Sequence, residues 1–238
     1  MTFWILAVVG LVCVMLSLLF TETFHEDERI SESGLRSLKG LGTVAQNKGF
    51  SLYLGITALV TLPYMAYIAF ASHIYITFFG RSEFEYSAFF AAAAVVSAID
   101  LFVAVVAERR LTPRRITSLL LVVGLISDIG ILAVGELSPF LFCRIFLLFA
   151  LVEAVIRPFS VNILLAQQDK DAGAASSLIN FTHTALGTVG MAVAVAPWPN
   201  YVVGIGTTII IAMALALVMW FVMIRKRILI KGLISSDE

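Results

Sequence analysis

Charged residues are scarce in this sequence, and so are cysteines. Only 13% of the 238 residues are charged, whereas 60% are hydrophobic, and the mean hydropathy is +0.99. Soluble domains are typically about a quarter charged, so the composition excludes an ordinary soluble domain and predicts an integral membrane protein. Cys13 and Cys143 both lie within apolar runs, which excludes a disulfide framework and a paired-cysteine metal motif.

The sequence also lacks the residue groupings that catalysis needs. It contains no nucleophile–base pair, no cluster of metal ligands and no glycine-rich phosphate loop, since the Gly-Ile-Gly at 204–206 lies within an apolar run. The N-terminus has no basic segment followed by a small-residue cleavage site, so it is not typical of a cleaved signal peptide. We therefore expect neither an enzyme nor a bound cofactor or metal.

Long apolar runs are abundant instead. The hydrocarbon core of a bilayer is ~30 Å thick and takes about 17–25 helical residues to cross. A spanning segment must be helical here, because the open edge of a sheet cannot be satisfied in lipid. The sequence predicts an all-α integral membrane protein with seven transmembrane helices, near residues 3–20, 49–71, 86–107, 117–134, 138–158, 172–196 and 201–224.

Basic residues lie almost entirely in alternate connections between these spans. Fourteen of the 16 lysines and arginines fall in or beside the segments that follow the first, third, fifth and seventh spans. The other connections hold only Arg81, and Arg144 lies inside a span. The positive-inside rule then places the N-terminus outside and the C-terminus in the cytoplasm. We predict a multi-pass protein of the plasma (inner) membrane.

A count of seven helices with the N-terminus outside is also found in receptors and rhodopsins. A rhodopsin binds retinal through a lysine in its last helix, and residues 201–224 contain none. The long charged segment after the first span and the very short later connections favour a grouping of one helix plus six. A seven-helix receptor or a non-transporting membrane protein stays open as an alternative.

Four segments carry a resemblance to a known family. They are FWILAVVG at 3–10 with FTETF at 20–24, YLGITALVTLPYMAYIAFASHIYITFFG at 53–80, the basic turn ERRLTPRRI at 108–116, and RPFSVNILLAQQDKDAGAASSLINF at 157–181. Together they resemble the C-terminal part of the major facilitator superfamily, in particular the Bcr/CflA-type drug:proton antiporters. Thr21 stands where the family usually has proline, and Thr112 where it usually has glycine.

The resemblance implies a domain organisation and a function. Residues 1–21 would be the family's sixth helix, 22–48 a cytoplasmic linker between halves, 49–225 the six-helix C-terminal half, and 226–238 a cytoplasmic tail. The chain would be part of a proton-coupled multidrug efflux transporter, driven by a proton gradient, that exports amphiphilic small molecules by alternating access. A metabolite or sugar facilitator of the same fold is the alternative.

The same resemblance implies the partners. They would be the lipid bilayer, a small amphiphilic substrate, and either the family's N-terminal half, which is missing from this sequence, or a second copy of the chain. No nucleic acid is expected.

Two polar stripes are candidates for a substrate cavity, by analogy with the cavity-lining helices of the family. On the second span, polar residues recur at helical spacing around Pro63, and a proline-broken helix is common where transporters bind or bend. On the sixth span, small residues at a similar spacing also fit a close helix-packing seam. The predicted cavity residues are Tyr53, Thr57, Thr61, Tyr64, Asn180 and His183.

Charged side chains within a membrane are rare and costly, so each is a functional candidate. Asp128 and Arg144 are predicted at similar depth on adjacent helices, as an intramembrane ion pair that either fixes packing or breaks during transport. Glu153 and Arg157 have the favourable i, i+4 order and would form a surface pair or an inner gate. Asp100 has no partner close in sequence and would be structural or part of a conformational switch.

Overall fold

The computed structural model describes residues 2–19, 34–168 and 172–233, and these residues are mostly helical. They form nine α-helices: α1 (Thr2–Leu18), α2 (Gly34–Gln46), α3 (Lys48–Ser72), α4 (Glu83–Ala98), α5 (Asp100–Arg110), α6 (Pro113–Val134), α7 (Pro139–Leu165), α8 (Ala172–Ala194) and α9 (Tyr201–Arg225). A π-helix, His73–Phe78, continues α3, and a 3-10 turn, Gly135–Leu137, follows α6. The described residues contain no β-strand, which confirms the all-α class for them.

The chain divides into two compact units, residues 1–36 and 37–238. In the first unit, α1 is an apolar helix of 17 residues, and the side chains of residues 3–19 are all exposed. An α-helix that is hydrophobic all round is typical of a segment surrounded by other apolar material, such as lipid. The second unit contains the remaining transmembrane candidates.

Four helical segments of the described chain are long and apolar enough to cross a membrane. They are Lys48–Phe78, Pro113–Leu137, Pro139–Leu165 and Tyr201–Arg225, and a fifth results if α4 and α5, which meet at a bend of 42°, form one span. The structure therefore supports a helical membrane protein. The spans predicted at α1 and α8 stay predictions, since α1 has only 17 residues and α8 carries serine, threonine, asparagine and histidine along its length.

Local sequence signals set several helix ends. The Asn47 side chain caps α3 by accepting a hydrogen bond from a first-turn amide at 3.1 Å. Ser82 and Glu85 form a reciprocal capping box at the start of α4. Pro113 and Pro139 occupy the start of α6 and α7, where a missing N–H leaves no helical hydrogen bond unmade.

Three boundaries differ from the sequence-based prediction. The segment predicted as a linker, 22–48, contains helix α2, while residues 20–33 lie outside the described part. The third predicted span, 86–107, is broken at Ile99, whose amide bonds the carbonyl of Val96 at 3.2 Å, three residues back instead of four. The second predicted span continues beyond residue 71, because the π-helix carries it to Phe78.

Helix α3 lies at the centre of the second unit and packs against α7, α8 and α9. Aromatic rings fill the space toward its C-terminal end: Tyr67 stacks on Phe146 with ring centroids 3.7 Å apart, and Tyr75 stacks on Phe89 at 4.6 Å. Phe142 contacts both tyrosines. Such rings bury a large area and hold their helices in fixed orientations. This packing places α3, with its polar side chains, among three neighbouring helices.

Candidate functional site

Three polar side chains from three helices meet inside the second unit. Thr61 Oγ1 of α3 lies 2.8 Å from Nδ1 of His183 on α8 and 3.4 Å from Oε1 of Glu153 on α7. All three side chains are buried, with no more than 6% of any residue exposed. Burying polar groups is costly unless they are hydrogen-bonded, so an arrangement that links three of them is a candidate for function. We refer to it as the Glu153–Thr61–His183 cluster.

The Thr61 hydroxyl links the other two members. A hydroxyl donates one hydrogen bond and accepts up to two. With Thr61 donating to Glu153, its oxygen accepts from the Nδ1–H of His183. The other ring nitrogen of His183, Nε2, is buried and has no hydrogen-bond partner in the structure. The cluster thus runs from a carboxylate on α7 to an unused ring nitrogen on α8.

Two glycines of α8 allow this helix to approach α3 closely enough for the cluster to form. A Cβ on Gly190 would meet the carbonyl oxygen of Leu62, which is backbone and cannot move aside cheaply. A Cβ on Gly187 would lie 3.0 Å from Cγ of Met65 and 3.9 Å from Thr61. Both glycines are on the face of α8 that carries His183, one and two turns beyond it. The small-residue seam predicted from the sequence therefore positions the imidazole.

A cavity of about 460 Å³ opens beside the cluster. Glu153 and Arg157, predicted as gate residues, both line it, together with Ser97 of α4 and Asn162 of α7. Pro158 is also in the wall and has no N–H, so the carbonyl of residue 154, four positions earlier, loses its helical donor at this surface. The sequence-based prediction missed Asn162 and Pro158, because their spacings of nine and five residues from Glu153 do not place them on its face of the helix. The side chain of Asp100 lies outside the described residues.

The polar stripe predicted on α3 is divided between several neighbours. Tyr53 is buried, and its hydroxyl is 3.1 Å from Thr117 Oγ1 of α6. Thr57 is also buried and donates to the carbonyl of Leu54 within its own helix at 3.2 Å. Tyr64 is half-buried and stacks near a phenylalanine of α7, with ring centroids 6.5 Å apart. Of this stripe, only Thr61 has a hydrogen bond to His183 of the second stripe in the described structure.

Asn180, predicted beside His183 in the cavity, has a different environment. Its side chain is exposed and donates to the carbonyl of Ser176 at 3.0 Å. Ser177, Thr184 and Thr188 are exposed as well, at spacings that place them with Asn180 along one side of α8. We call these four residues the α8 polar face. His183 lies on the buried side of the same helix, against α3.

The predicted ion pair between Asp128 and Arg144 is not formed. Both carboxylate oxygens of Asp128 are buried without a hydrogen-bond partner, and the Arg144 side chain is exposed. The reason is the rotation of α6 about its axis. Ser127, next to Asp128, is directed at α7 and donates to the carbonyl of Ile145 at 2.7 Å. Asp128 lies one turn after Gly124, where a Cβ would meet the side chain of Met213 on α9. The prediction of similar depth did not specify which face each side chain occupies.

Within the described residues, no group of three histidine, cysteine, aspartate or glutamate side chains could hold a metal ion. No protein-family model matches the sequence, and no curated protein matches it either. The resemblance to the Bcr/CflA-type antiporters therefore rests on the four segments described above and stays a prediction.

Proposed function

We propose that this chain is the C-terminal part of a proton-coupled transporter that exports amphiphilic small molecules by alternating access, as its resemblance to the Bcr/CflA-type antiporters implies. The observation that carries the proposal is the buried Glu153–Thr61–His183 cluster beside a cavity. Ionisable residues within membrane helices mark ion and substrate pathways by default. The cavity volume of about 460 Å³ lies in the range that small ligands occupy.

The hydrogen bonds of the cluster define a route for one proton. A proton that binds to Nε2 of His183 allows the Nδ1 proton to pass to the Thr61 oxygen. The Thr61 hydroxyl proton then passes to Oε1 of Glu153, at the cavity wall. The imidazole remains neutral in its other tautomer, and the net result is a protonated Glu153. Because Arg157 also lines the cavity, loss of the carboxylate charge would leave its positive charge unbalanced at the cavity wall.

The two helices that carry Thr61 and Glu153 each contain an interior proline. Pro63 lies two residues after Thr61, and Pro158 lies five residues after Glu153. Each proline removes one backbone hydrogen bond, which makes bending at that point less costly. Bending of α3 and α7 at these positions would open or close the cavity, in keeping with alternating access.

The α8 polar face provides separate support. An exposed row that includes Asn180 and Thr184 is unfavourable toward lipid, although a hydrogen bond to the helix's own backbone reduces the cost at Asn180. Such a face fits better against water or against another set of helices. It is the surface on which an N-terminal half, or a second copy, would complete a substrate cavity.

Proton coupling is tested by the pH dependence of ligand affinity. The affinity of the purified chain for a fluorescent amphiphilic cation is measured between pH 6 and 8.5. If binding is coupled to one proton, the wild-type affinity changes by up to about tenfold per pH unit. Thr61→Val removes the linking hydroxyl while keeping the side-chain shape, and should flatten this profile. His183→Gln should flatten it too.

Thr57→Val is the matched control. It makes the same substitution one turn earlier on α3, and its hydroxyl bonds only its own helix. It should keep the wild-type profile. Thermal unfolding of each variant shows whether the protein is folded. A wild-type profile in folded Thr61→Val would refute the proton route, and absence of saturable binding by the wild type would count against a transporter.

Vesicle transport tests the other part of the proposal. In liposomes with an imposed pH gradient, the chain alone should not move the dye, because alternating access needs a second half against which this bundle can move. Dye movement by a demonstrated monomer would contradict the assignment as part of a transporter.

A further inference from the structure

The connection between α5 and α6 concentrates positive charge at one end of two helices. Arg109 and Arg110 end α5, and Arg114 and Arg115 lie in the first turn of α6. Within residues 108–115 the only acid is Glu108, so four positive charges and one negative charge leave a net charge of +3. A helical membrane protein that carries such a cluster at the end of its apolar helices presents it at the level of lipid headgroups.

This cluster borders a cavity of about 520 Å³. Its wall combines the charges of Arg114 and Arg115 with the hydroxyls of Thr112 and Ser118, and Leu119, half exposed, forms its apolar edge. The Thr112 side chain makes no capping hydrogen bond to α6, so its hydroxyl is available at the cavity. The two guanidinium groups and the Thr112 hydroxyl are donors around one space, which suits an anion and in particular a phosphate group.

Ser118 is held in place from a third helix. Its hydroxyl accepts a hydrogen bond from Nε1 of Trp220 on α9 at 2.9 Å and donates to the carbonyl of Arg114 at 2.9 Å. Trp220 is itself buried. The cavity therefore has a fixed polar wall in addition to its arginine side chains.

An apolar groove of about 380 Å³ lies along α5 next to this cavity. Phe102, Val103, Val106 and Ala107 line it, and it ends at Arg110 and Leu111. Leu111 directly precedes Thr112 in the wall of the basic cavity, so the two spaces border the same turn. From residue 102 to residue 111 the helical rise is about 14 Å, enough to accommodate a substantial part of an acyl chain. Phe102 and Val106 are 73% and 40% exposed, so a ligand can enter from the side.

We propose that the α5–α6 turn binds an acidic phospholipid, with its phosphate between Arg114 and Arg115 and one acyl chain along the groove from Phe102 to Leu111. Charge complementarity selects an anionic headgroup. The adjoining apolar groove selects a lipid over a free phosphate ion. This site is separate from the Glu153–Thr61–His183 cluster and does not depend on the proposed transport.

The test is retention of added lipid by the purified full chain, measured by native mass spectrometry. Wild type should retain phosphatidylglycerol at least about tenfold better than phosphatidylcholine with the same acyl chains. Each basic residue near an anionic headgroup contributes appreciably to the free energy of lipid binding. The double variant Arg114→Gln/Arg115→Gln should therefore reduce phosphatidylglycerol retention by about 5- to 30-fold. Arg225→Gln with Lys226→Gln removes the same charge from the exposed end of α9, which lines neither space, and should change retention by less than about twofold.

Two further arms separate the lipid from a free anion. Inorganic phosphate should not displace phosphatidylglycerol. Val106→Asn, which places an amide in the apolar groove, should weaken retention of the long-chain lipid and leave retention of the short-chain dihexanoyl phosphatidylglycerol unchanged. Displacement by phosphate would overturn the proposal. Equal losses of retention in the Arg114/Arg115 and the Arg225/Lys226 double variants would overturn it as well. The comparison of phosphatidylglycerol with phosphatidylcholine uses only the wild-type chain, so it does not depend on the folding of a variant. Equal retention of the two lipids would also overturn the proposal.

Discussion

Replacing Asp128 by valine should stabilise this protein, which is the opposite of what an intramembrane ion pair would give. Asp128 is fully buried on α6, and neither carboxylate oxygen has a hydrogen-bond partner. A buried polar group without a partner costs about 1–3 kcal/mol. Valine has nearly the same shape and no polar atoms, and the helix propensities of the two residues are similar. The net gain is about 1–3 kcal/mol, which corresponds to a rise of roughly 2–12 °C in the thermal midpoint.

The assay can use the chain's own cysteines. Cys143 is buried and Cys13 is exposed, so in a Cys13→Ser background a thiol-reactive fluorogenic dye reports unfolding through Cys143. The midpoint of Asp128→Val is compared with that of the background at pH 7 in the same detergent. Asp128→Asn keeps the shape and the polar character, and should give much less of the gain.

The result that would refute this reasoning is a large destabilisation. Removing one partner of a buried ion pair costs about 3–5 kcal/mol, so a fall in the midpoint would show that Asp128 is paired after all. Arg144→Gln provides the second half of the test. Because Arg144 is exposed, its replacement should change stability by less than about 0.5 kcal/mol, and the two substitutions together should be additive.

Three other substitutions test the packing around α3, α6 and α9 by the same thermal assay. Gly190→Ala should lower the midpoint by several degrees, because its Cβ would meet the backbone of α3 and overpacking costs about 1–3 kcal/mol. Gly173→Ala is the control: no atom lies within 4 Å of its Cβ, so the midpoint should not change. Trp220→Phe removes the indole hydrogen bond to α6 and should cost about 0.5–1.5 kcal/mol; no change would mean that this bond is not made. Tyr53→Phe removes a hydroxyl bonded to α6 and should cost a similar amount, and a gain in stability would contradict that contact.

The existence of the helices could be predicted because long apolar runs and their capping residues are local properties. The break at Ile99 could not be predicted, because residues 99–101 contain neither proline nor glycine, which are the usual sequence signals of a kink. The π-helical continuation of α3 to Phe78 was missed for a related reason. Its segment is as apolar and aromatic as the helix before it, so the composition contains no signal for a change of helical pitch.

The candidate site could be predicted only one residue at a time. Thr61, His183 and Glu153 each stood out as polar groups in apolar helices, but their hydrogen bonds join residues 92 and 122 positions apart. Which face of a helix meets which neighbour depends on the rotation of each helix in the packed structure. That rotation buries His183 while exposing Asn180 three residues earlier, and it separates Asp128 from Arg144.

The length of α3 with its π-helical continuation has a consequence for how the protein sits in a bilayer. The segment Lys48–Phe78 has 31 residues, or about 46 Å of helix, against a hydrocarbon core of ~30 Å. Tilting alone would need roughly 50°, which exceeds the 0–40° found for transmembrane helices, so one end must project beyond the hydrocarbon. Tyr86, half-buried, packs on the buried Tyr75 at the π-helical end, and tyrosine favours the membrane–water interface. This aromatic end would therefore fix the depth of the central helix, and an unusually thin or thick membrane would act on the protein through it.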